Sequence, residues 1–367
     1  MSDLFRDLLR KIGSGPHTGK NLTRAEAAAA TQMMLRQEAT PAQIGAFMIA
    51  HRIKRPTGEE LAGMLDAYDA LGPKLKTVPA AYPTLVMSLP YDGRSRTAPI
   101  SPLTALILAA ADCPVVMHGG DRMPTKYGIP LVEVWQGLGV DWTQLTLAQV
   151  QQVFETTRLG LVYIPTHFPL AAGLVPYRDQ IGKRPPFATL ELFWCPYQGD
   201  AVLASGFVHP PTEGMAQEAF ALRGVSQYIT VKGLEGSCDL PRDRTCIIGI
   251  GQADAEFERL LLHPRDYGFA DVDVPLGSTP ELIAAMQAVL KGQPNQEHSG
   301  GLFQSAVWNG GFYLWRCGVC STLEAGLAQA KALLQNGTVF QTLAALTASV
   351  SAIALDSNKT FAGTNPR

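Results

Sequence analysis

Two short stretches concentrate side chains able to hold an oxyanion. The first is Ser88-Leu89-Pro90-Tyr91-Asp92-Gly93-Arg94-Ser95-Arg96-Thr97, running on to Ser101. The second is His118-Gly119-Gly120-Asp121-Arg122-Met123-Pro124-Thr125-Lys126-Tyr127-Gly128. Arg94, Arg96, Arg122 and Lys126 supply cations, Ser101 and its neighbours supply hydroxyls, and Gly93 and Gly119 let main-chain N–H groups approach a ligand. Cations, free N–H groups and a following helix are the ingredients of a phosphate site. The same composition also suits an ordinary solvated strand-to-helix turn. Other reactive residues organise less. Cys317-Gly-Val-Cys320 is one lone C-x-x-C after Phe312–Trp315, whereas a zinc site needs a second ligand pair; it reads as two small residues at a helix end. His167 reads as packed within its Pro165–Pro169 turn. The histidines form no nucleophilic triad, no catalytic residue is nominated, and no G-x-G-x-x-G signals a dinucleotide.

The elements that must position these loops follow from spacing. Met1–Arg10 reads as an amphipathic helix with Leu4, Phe5, Leu8 and Leu9 on one side. Thr23 with Glu26, Thr40 with Gln43 and Thr57 with Glu60 each fit a capping box, Pro41 suits a first helical position, and Gly72-Pro73 stops the last helix. Ile44, Phe47, Met48 and Leu61, Met64, Leu65, Tyr68 fall at helical spacing between them. After Pro79, short β-rich runs at 84–89, 114–117, 159–164, 201–207, 228–231 and 245–250 alternate with helical patterns at 101–108, 147–154, 215–222, 282–290 and 323–334. Such alternation predicts an α/β domain with a mostly parallel central sheet covered by helices. The expected division is a small all-helical domain over residues 1–76, with a later contribution from about 170–195, and a larger α/β domain over 77–367. Both oxyanion loops would then lie beyond the carboxyl ends of strands, where such sheets bind ligands. The polar stretch Gly292–Gly301 reads as a loop.

Composition narrows the class. The chain has 367 residues, 46% of them apolar and 17% charged, with 30 basic residues against 32 acidic ones. A net charge of −2 excludes a protein that grips nucleic acid by bulk charge, and equally a disordered polyanion. No apolar run reaches the roughly 20 residues of a membrane span. The amino terminus lacks the order of a signal peptide, and six scattered cysteines suit a reducing compartment. A cytoplasmic protein is expected.

The order of these pieces resembles the anthranilate phosphoribosyltransferase family, which shares its fold with the pyrimidine nucleoside phosphorylases. The likeness runs from about Leu8 to Leu346. It is carried by Ala42-Gln43-Ile44-Gly45-Ala46-Phe47-Met48 through Arg52-Ile53-Lys54, by Glu59-Glu60-Leu61-Ala62-Gly63, and by Val116-Met117-His118-Gly119 with Lys126 and Gly128. Pro165, His167 and Pro169, and Val175-Pro176-Tyr177-Arg178 through Gly182 and Arg184, extend it. The resemblance implies a Mg²⁺-dependent transfer from phosphoribosyl pyrophosphate, in tryptophan biosynthesis if the acceptor is anthranilate. It assigns phosphate or substrate contacts to Asp92, Gly93, Ser101, His118, Gly119 and Lys126, to which the loop composition adds Arg94, Arg96 and Arg122. It assigns the acceptor to Arg178 and the metal to Asp239 with Glu235. It also implies a homodimer through the N-terminal helices; Ile44, Phe47, Met48 and Leu65 are compatible with that interface or with internal core.

The departures are specific. The family's glycine-threonine-glycine-glycine-aspartate turn reads Ser88-Leu89-Pro90-Tyr91-Asp92 here, so Pro90 removes an N–H and Tyr91 adds bulk where a diphosphate would approach. Met117 replaces the lysine before His118. In Lys232-Gly233-Leu234-Glu235-Gly236-Ser237-Cys238-Asp239, one metal carboxylate has become Cys238, a poor ligand for Mg²⁺. Glu191-Leu192-Phe193-Trp194-Cys195-Pro196 replaces the family's asparagine-leucine-leucine-glycine-proline. Pro124-Thr125-Lys126 resembles the signature of a divergent branch regarded as nucleic-acid binding. Two readings follow: a phosphoribosyl transferase whose acceptor need not be anthranilate, or a non-catalytic member whose cleft binds a phosphate-rich ligand such as single-stranded nucleic acid. In the second, Arg94, Arg96, Arg122, Lys126, Arg178, Lys183 and Arg184 supply charge, and Tyr91, Phe187, Phe193 and Trp194 stack bases.

Overall fold

The structure is a computed structural model and describes residues 3–362 except 16, 254 and 295–298, with side chains described to residue 354. Met1 and Ser2 of the first expected helix, and four residues of the 292–301 loop, lie outside it.

The chain opens on four helices: α1 (Asp3–Gly13), α2 (Arg24–Leu35), α3 (Pro41–Lys54) and α4 (Gly58–Leu71). All three capping boxes form. The hydroxyls of Thr23, Thr40 and Thr57 accept from the N–H groups of Glu26, Gln43 and Glu60, whose side chains accept in return from the cap N–H. Ile44, Phe47, Met48 and Leu65 are buried inside this bundle. They are core residues and are not available to face a second subunit.

Seven strands form one sheet: β1 (Thr84–Met87), β2 (Val115–Gly119), β3 (Leu159–Tyr163), β4 (Ala201–Gly206), β5 (Gln227–Val231), β6 (Cys246–Gln252) and β7 (Glu258–Leu262). Their spatial order is β3-β2-β1-β4-β5-β6-β7. The first five are mutually parallel, with registers such as Val86↔Val116 and Val86↔Leu203. β6 and β7 close one edge antiparallel. Strands β1 to β3 are buried at every position, as a sheet covered on both faces requires. β7 escaped the sequence reading because this edge strand leaves Glu258, Arg259 and Leu261 exposed.

Helices α5 (Ser101–Ala110), α6 (Leu131–Gly137), α7 (Leu147–Thr157), α8 (Ile164–His167), α9 (Pro169–Ala172), α10 (Val175–Ile181), α11 (Phe187–Leu190) and α12 (Pro210–Arg223) connect the strands. After the sheet come α13 (Thr279–Leu290), α14 (Gly300–Arg316), α15 (Leu323–Gln335) and α16 (Thr338–Ala362). Helix α14 is almost wholly buried, apolar all round, and packs against α5 and α15. That uniform burial erases the amphipathic signal, so only its later part was legible. Helix α10 packs on α3, while α11 and α12 pack on α4. The helical module is thereby joined to the carboxyl-end side of the sheet.

Candidate functional site

Both oxyanion loops leave the carboxyl ends of neighbouring parallel strands, β1 and β2, and they zip together. The Arg94 N–H donates to the Ile129 carbonyl at 2.9 Å and the Ile129 N–H donates back at 2.8 Å. The Gly128 N–H donates to the Asp92 carbonyl at 2.9 Å. This approach needs glycine at two places. A Cβ at Gly128 would stand 2.5 Å from the Arg94 carbonyl oxygen, and Gly93 has φ +76° and faces the Gly128 backbone at 2.6 Å. Gly93 therefore serves loop pairing.

The cations converge, but on the protein's own acceptors. Arg94 is buried and donates to the Leu234 carbonyl at 2.7 Å, Ser237 Oγ at 2.6 Å, Thr97 Oγ1 at 2.6 Å and Asp239 Oδ2 at 3.3 Å. Burial pulls its guanidinium below the ordinary value, against the attraction of Asp239 and Glu235. Lys126 donates to the Gly93 carbonyl at 2.8 Å and pairs with Glu235. Glu235 accepts from the main-chain N–H groups of Ser95 at 3.2 Å, Arg96 at 2.9 Å and Thr97 at 2.9 Å. Burial alone would raise this carboxyl, yet Lys126 and the N–H groups of Thr97 and Arg96 hold it well below the carboxylate range. Arg96 itself points outward and reaches Glu235 only at 3.9 Å.

Asp239 is fully committed as well. Its carboxylate accepts from Ser101 Oγ at 2.7 Å and the Ile100 N–H at 3.0 Å. Cys238 is buried and burial raises its thiol, so it stays protonated. Protonated thiol and two carboxylates already saturated by donors do not fit a hard cation that takes several free oxygens. No group of three or more potential ligand side chains gathers anywhere among the described residues. The residues that resemblance assigns to Mg²⁺ thus do not make its site. The space between Pro90, Arg94, Pro99, Ser101 and Asp239 is about 20 Å³, room for little more than one water.

His118 and Gly119 end strand β2 and are buried. The imidazole lies 3.1 Å from Ser88 Oγ and 2.5 Å from Tyr91 Oη, edge-on to Trp194. Burial pulls its pKa down to about 3, so it is neutral at pH 7 and brings no charge to a phosphate. Arg122 leaves the cluster and makes a two-pronged pair with Glu133 at 2.7 Å on each arm. Arg178 is buried against Glu191, and its other arm lies 2.9 Å from Met123 Sδ. Burial pushes the Glu191 carboxyl up and Arg178 counters that push. Arg184 pairs with Asp92 at 2.5 Å. Which cation each of these carboxylates meets needed the fold.

The stacking surface of the nucleic-acid reading is not presented. Tyr91, Phe187, Phe193 and Trp194 are all buried, Trp194 packing on Tyr68, His118 and Phe168. His167 sits inside its turn as expected, accepting from the Tyr163 N–H at 2.9 Å with its other nitrogen 2.8 Å from the Leu145 carbonyl. Cys317 caps α14, Cys320 lies 2.9 Å from Gln329 Oε1, and all six cysteines are free.

A helical bundle docked to the carboxyl edge of a mostly parallel sheet, with paired oxyanion loops between them, is the architecture of a glycosyl transferase. Residues 6–72 match the helical bundle domain of the glycosyl transferase family and residues 92–340 match its α/β domain. The chain belongs to that family. It is 28% identical to the anthranilate phosphoribosyltransferase of Rhodopseudomonas palustris over 95% of this chain and 99% of that one. It is 26% identical to an uncharacterised Aquifex aeolicus protein over 89% and 98% of the two chains. Among solved structures, anthranilate phosphoribosyltransferase from Saccharomyces cerevisiae in complex with phosphoribosyl pyrophosphate and Mg superposes with a TM-score of 0.80 at 15% identity, covering 96% of this chain and 99% of that one. The Thermus thermophilus enzyme gives 0.77 at 19% identity, covering 95% and 100%.

Proposed function

We propose that this chain is a binding member of the family that does not carry out magnesium-dependent phosphoribosyl transfer. One observation supports the reading above all: apart from the exposed Arg96, the cations that transfer would need are paired with carboxylates of the chain itself. Glu235 and Asp239 take Arg94 and Lys126, Glu191 takes Arg178, Asp92 takes Arg184, and Glu133 takes Arg122. Diphosphate and an anionic acceptor would have to displace buried, hydrogen-bonded carboxylates, which is costly. Preorganised electrostatics is the main resource of such transfer, and here it is spent internally. The test is anthranilate consumption, followed by its fluorescence, with phosphoribosyl pyrophosphate and Mg²⁺, alongside calorimetry of phosphoribosyl pyrophosphate with and without the metal. No turnover and no Mg²⁺-dependent gain in affinity are expected. Turnover that requires Mg²⁺ would overturn the reading.

The proposal keeps the domain division at residue 76, with the α10–α11 region returning to the helical module, and a cytoplasmic setting that suits six free thiols. No single helix among the described residues is long and apolar enough to cross a membrane. A homodimer is part of the same reading, through a groove of about 880 Å³ lined by Ile12, Ala46, Ile49, Ile53 and Ile181 rather than through the buried set. Light scattering is expected to give twice the 39.4 kDa chain mass, and Ile53→Glu to reduce it to the single-chain value.

A further inference from the structure

A second cleft, of about 660 Å³, opens where the helical module meets the α/β domain. Arg52 and Arg55 stand on one wall, Pro185, Pro186 and Thr189 on another, and His209 to Thr212 with Met215 on the third. No carboxylate lines it among the described residues. Arg52 is tethered, its guanidinium donating to the Arg184 carbonyl. Arg55, Thr189, His209 and Thr212 make no side-chain hydrogen bond or ion pair among the described residues, in contrast to the cations of the loop site. Glu218, which accepts from the Gly58 N–H at 3.1 Å, and Asp92, which pairs with Arg184 at 2.5 Å, are engaged elsewhere.

The backbone adds an independent observation. Arg55 adopts φ 64°, ψ 123° at the end of α3, a region that non-glycine residues enter only at an energetic cost. A glycine would relieve that cost; this chain keeps an arginine there, immediately before Pro56, and that arginine is one of the residues lining the cleft. Five prolines, 56, 185, 186, 210 and 211, stiffen the walls, so little entropy is lost when a ligand settles. The half-buried Met215 offers an apolar floor.

We propose that this cleft binds a small phosphate monoester, its phosphate held by Arg55, Arg52 and His209 and its body resting on Met215 and the proline walls. Guanidinium groups suit phosphate oxygens by geometry as well as charge. The inference rests on the reading of the chain as a binding member, but its test is separate, because docking here neither needs nor excludes turnover at the loop site.

The experiment is calorimetry of the full chain with inorganic phosphate and with adenosine monophosphate, repeated with Arg55→Gln, His209→Ala and Lys126→Ala. Saturable binding of the nucleotide is expected, at least tenfold tighter than inorganic phosphate. A loss of tenfold or more is expected in Arg55→Gln, a smaller loss in His209→Ala, and no change in Lys126→Ala. Arg55 and His209 are exposed and unbonded, so matching melting temperatures will show that both variants fold. Equal affinity of wild type and Arg55→Gln, no binding of either probe at millimolar concentration, or loss in Lys126→Ala alone would overturn the proposal. The last result would place the anion in the loop site instead.

Discussion

Arg178 and Glu191 are both buried, and the energetics of such a pair are asymmetric. Forming it adds little net stability, whereas removing one partner strands a charge. Arg178→Ala is expected to cost about 3–5 kcal/mol in urea unfolding, and Arg178→Met with Glu191→Met to recover most of that loss. A deficit in the single variant below about 1 kcal/mol would show the pair to be solvated. Two other buried groups contribute to the acid response. The pKa of His118 lies at about 3 in the fold against 6.5 ordinarily, so the stability it contributes is complete above pH 6.5 and is lost as pH falls toward 3. For Glu60, burial opposes ionisation, but His51, Lys54 and the Leu22 N–H pull the carboxyl down to about 2. Its contribution is therefore complete above about 4.5, the ordinary carboxylate value, and disappears as pH falls toward 2. Urea midpoints should fall between pH 6.5 and 5 in wild type, and less in His118→Gln. Between pH 4.5 and 3 the fall should be shallower in Glu60→Gln.

At the scale of elements, the pairing of the two loops depends on backbone contact. Gly128→Ala would drive a methyl group against the Arg94 carbonyl and is expected to cost about 1–3 kcal/mol, as overpacking does. The melting temperature reports it, with Gly182→Ala, where a Cβ meets nothing within 4 Å but φ is +59°, as the comparison for conformational strain alone. The capping boxes are local devices, so Thr57→Ala should cost about 1 kcal/mol. They were legible because a hydroxyl, a three-residue spacing and a following apolar run need no tertiary information. The strands β1 to β6 were legible for a related reason: each is a short apolar run between turn residues. Edge strand β7 and the uniformly buried α14 were not, since neither keeps the period that distinguishes one face from another.

At the scale of the whole molecule, the long returning helices α15 and α16 pass a length-and-composition test for crossing a membrane only as a pair bent by 65°. Leu323, Leu334, Val339 and Leu346 on them are buried against the rest of the chain, which is the behaviour of core helices. The near balance of 30 basic and 32 acidic residues also takes on meaning here. It reflects a matching of charge within the loop site, where carboxylates from distant segments meet cations across separations such as Arg94 to Asp239. The cleft beside Arg55 escapes that matching, which is why it, and not the loop site, is expected to hold an external anion.

Residue type and short spacing set the local pieces: the caps, the helical bundle, the alternation that makes a parallel sheet, two loops beyond its carboxyl edge, and the substitutions at Pro90, Cys238 and Glu191. Chain connectivity preserves that spacing. Only the tertiary structure decided what the charges do. Whether Arg178 greets a substrate or Glu191, whether Glu235 is free for a metal or held by three N–H groups, and whether Trp194 stacks on a base or on Tyr68 are questions of burial and partner. Those depend on segments brought together from across the chain, where an ångström of approach decides between an open site and a closed one.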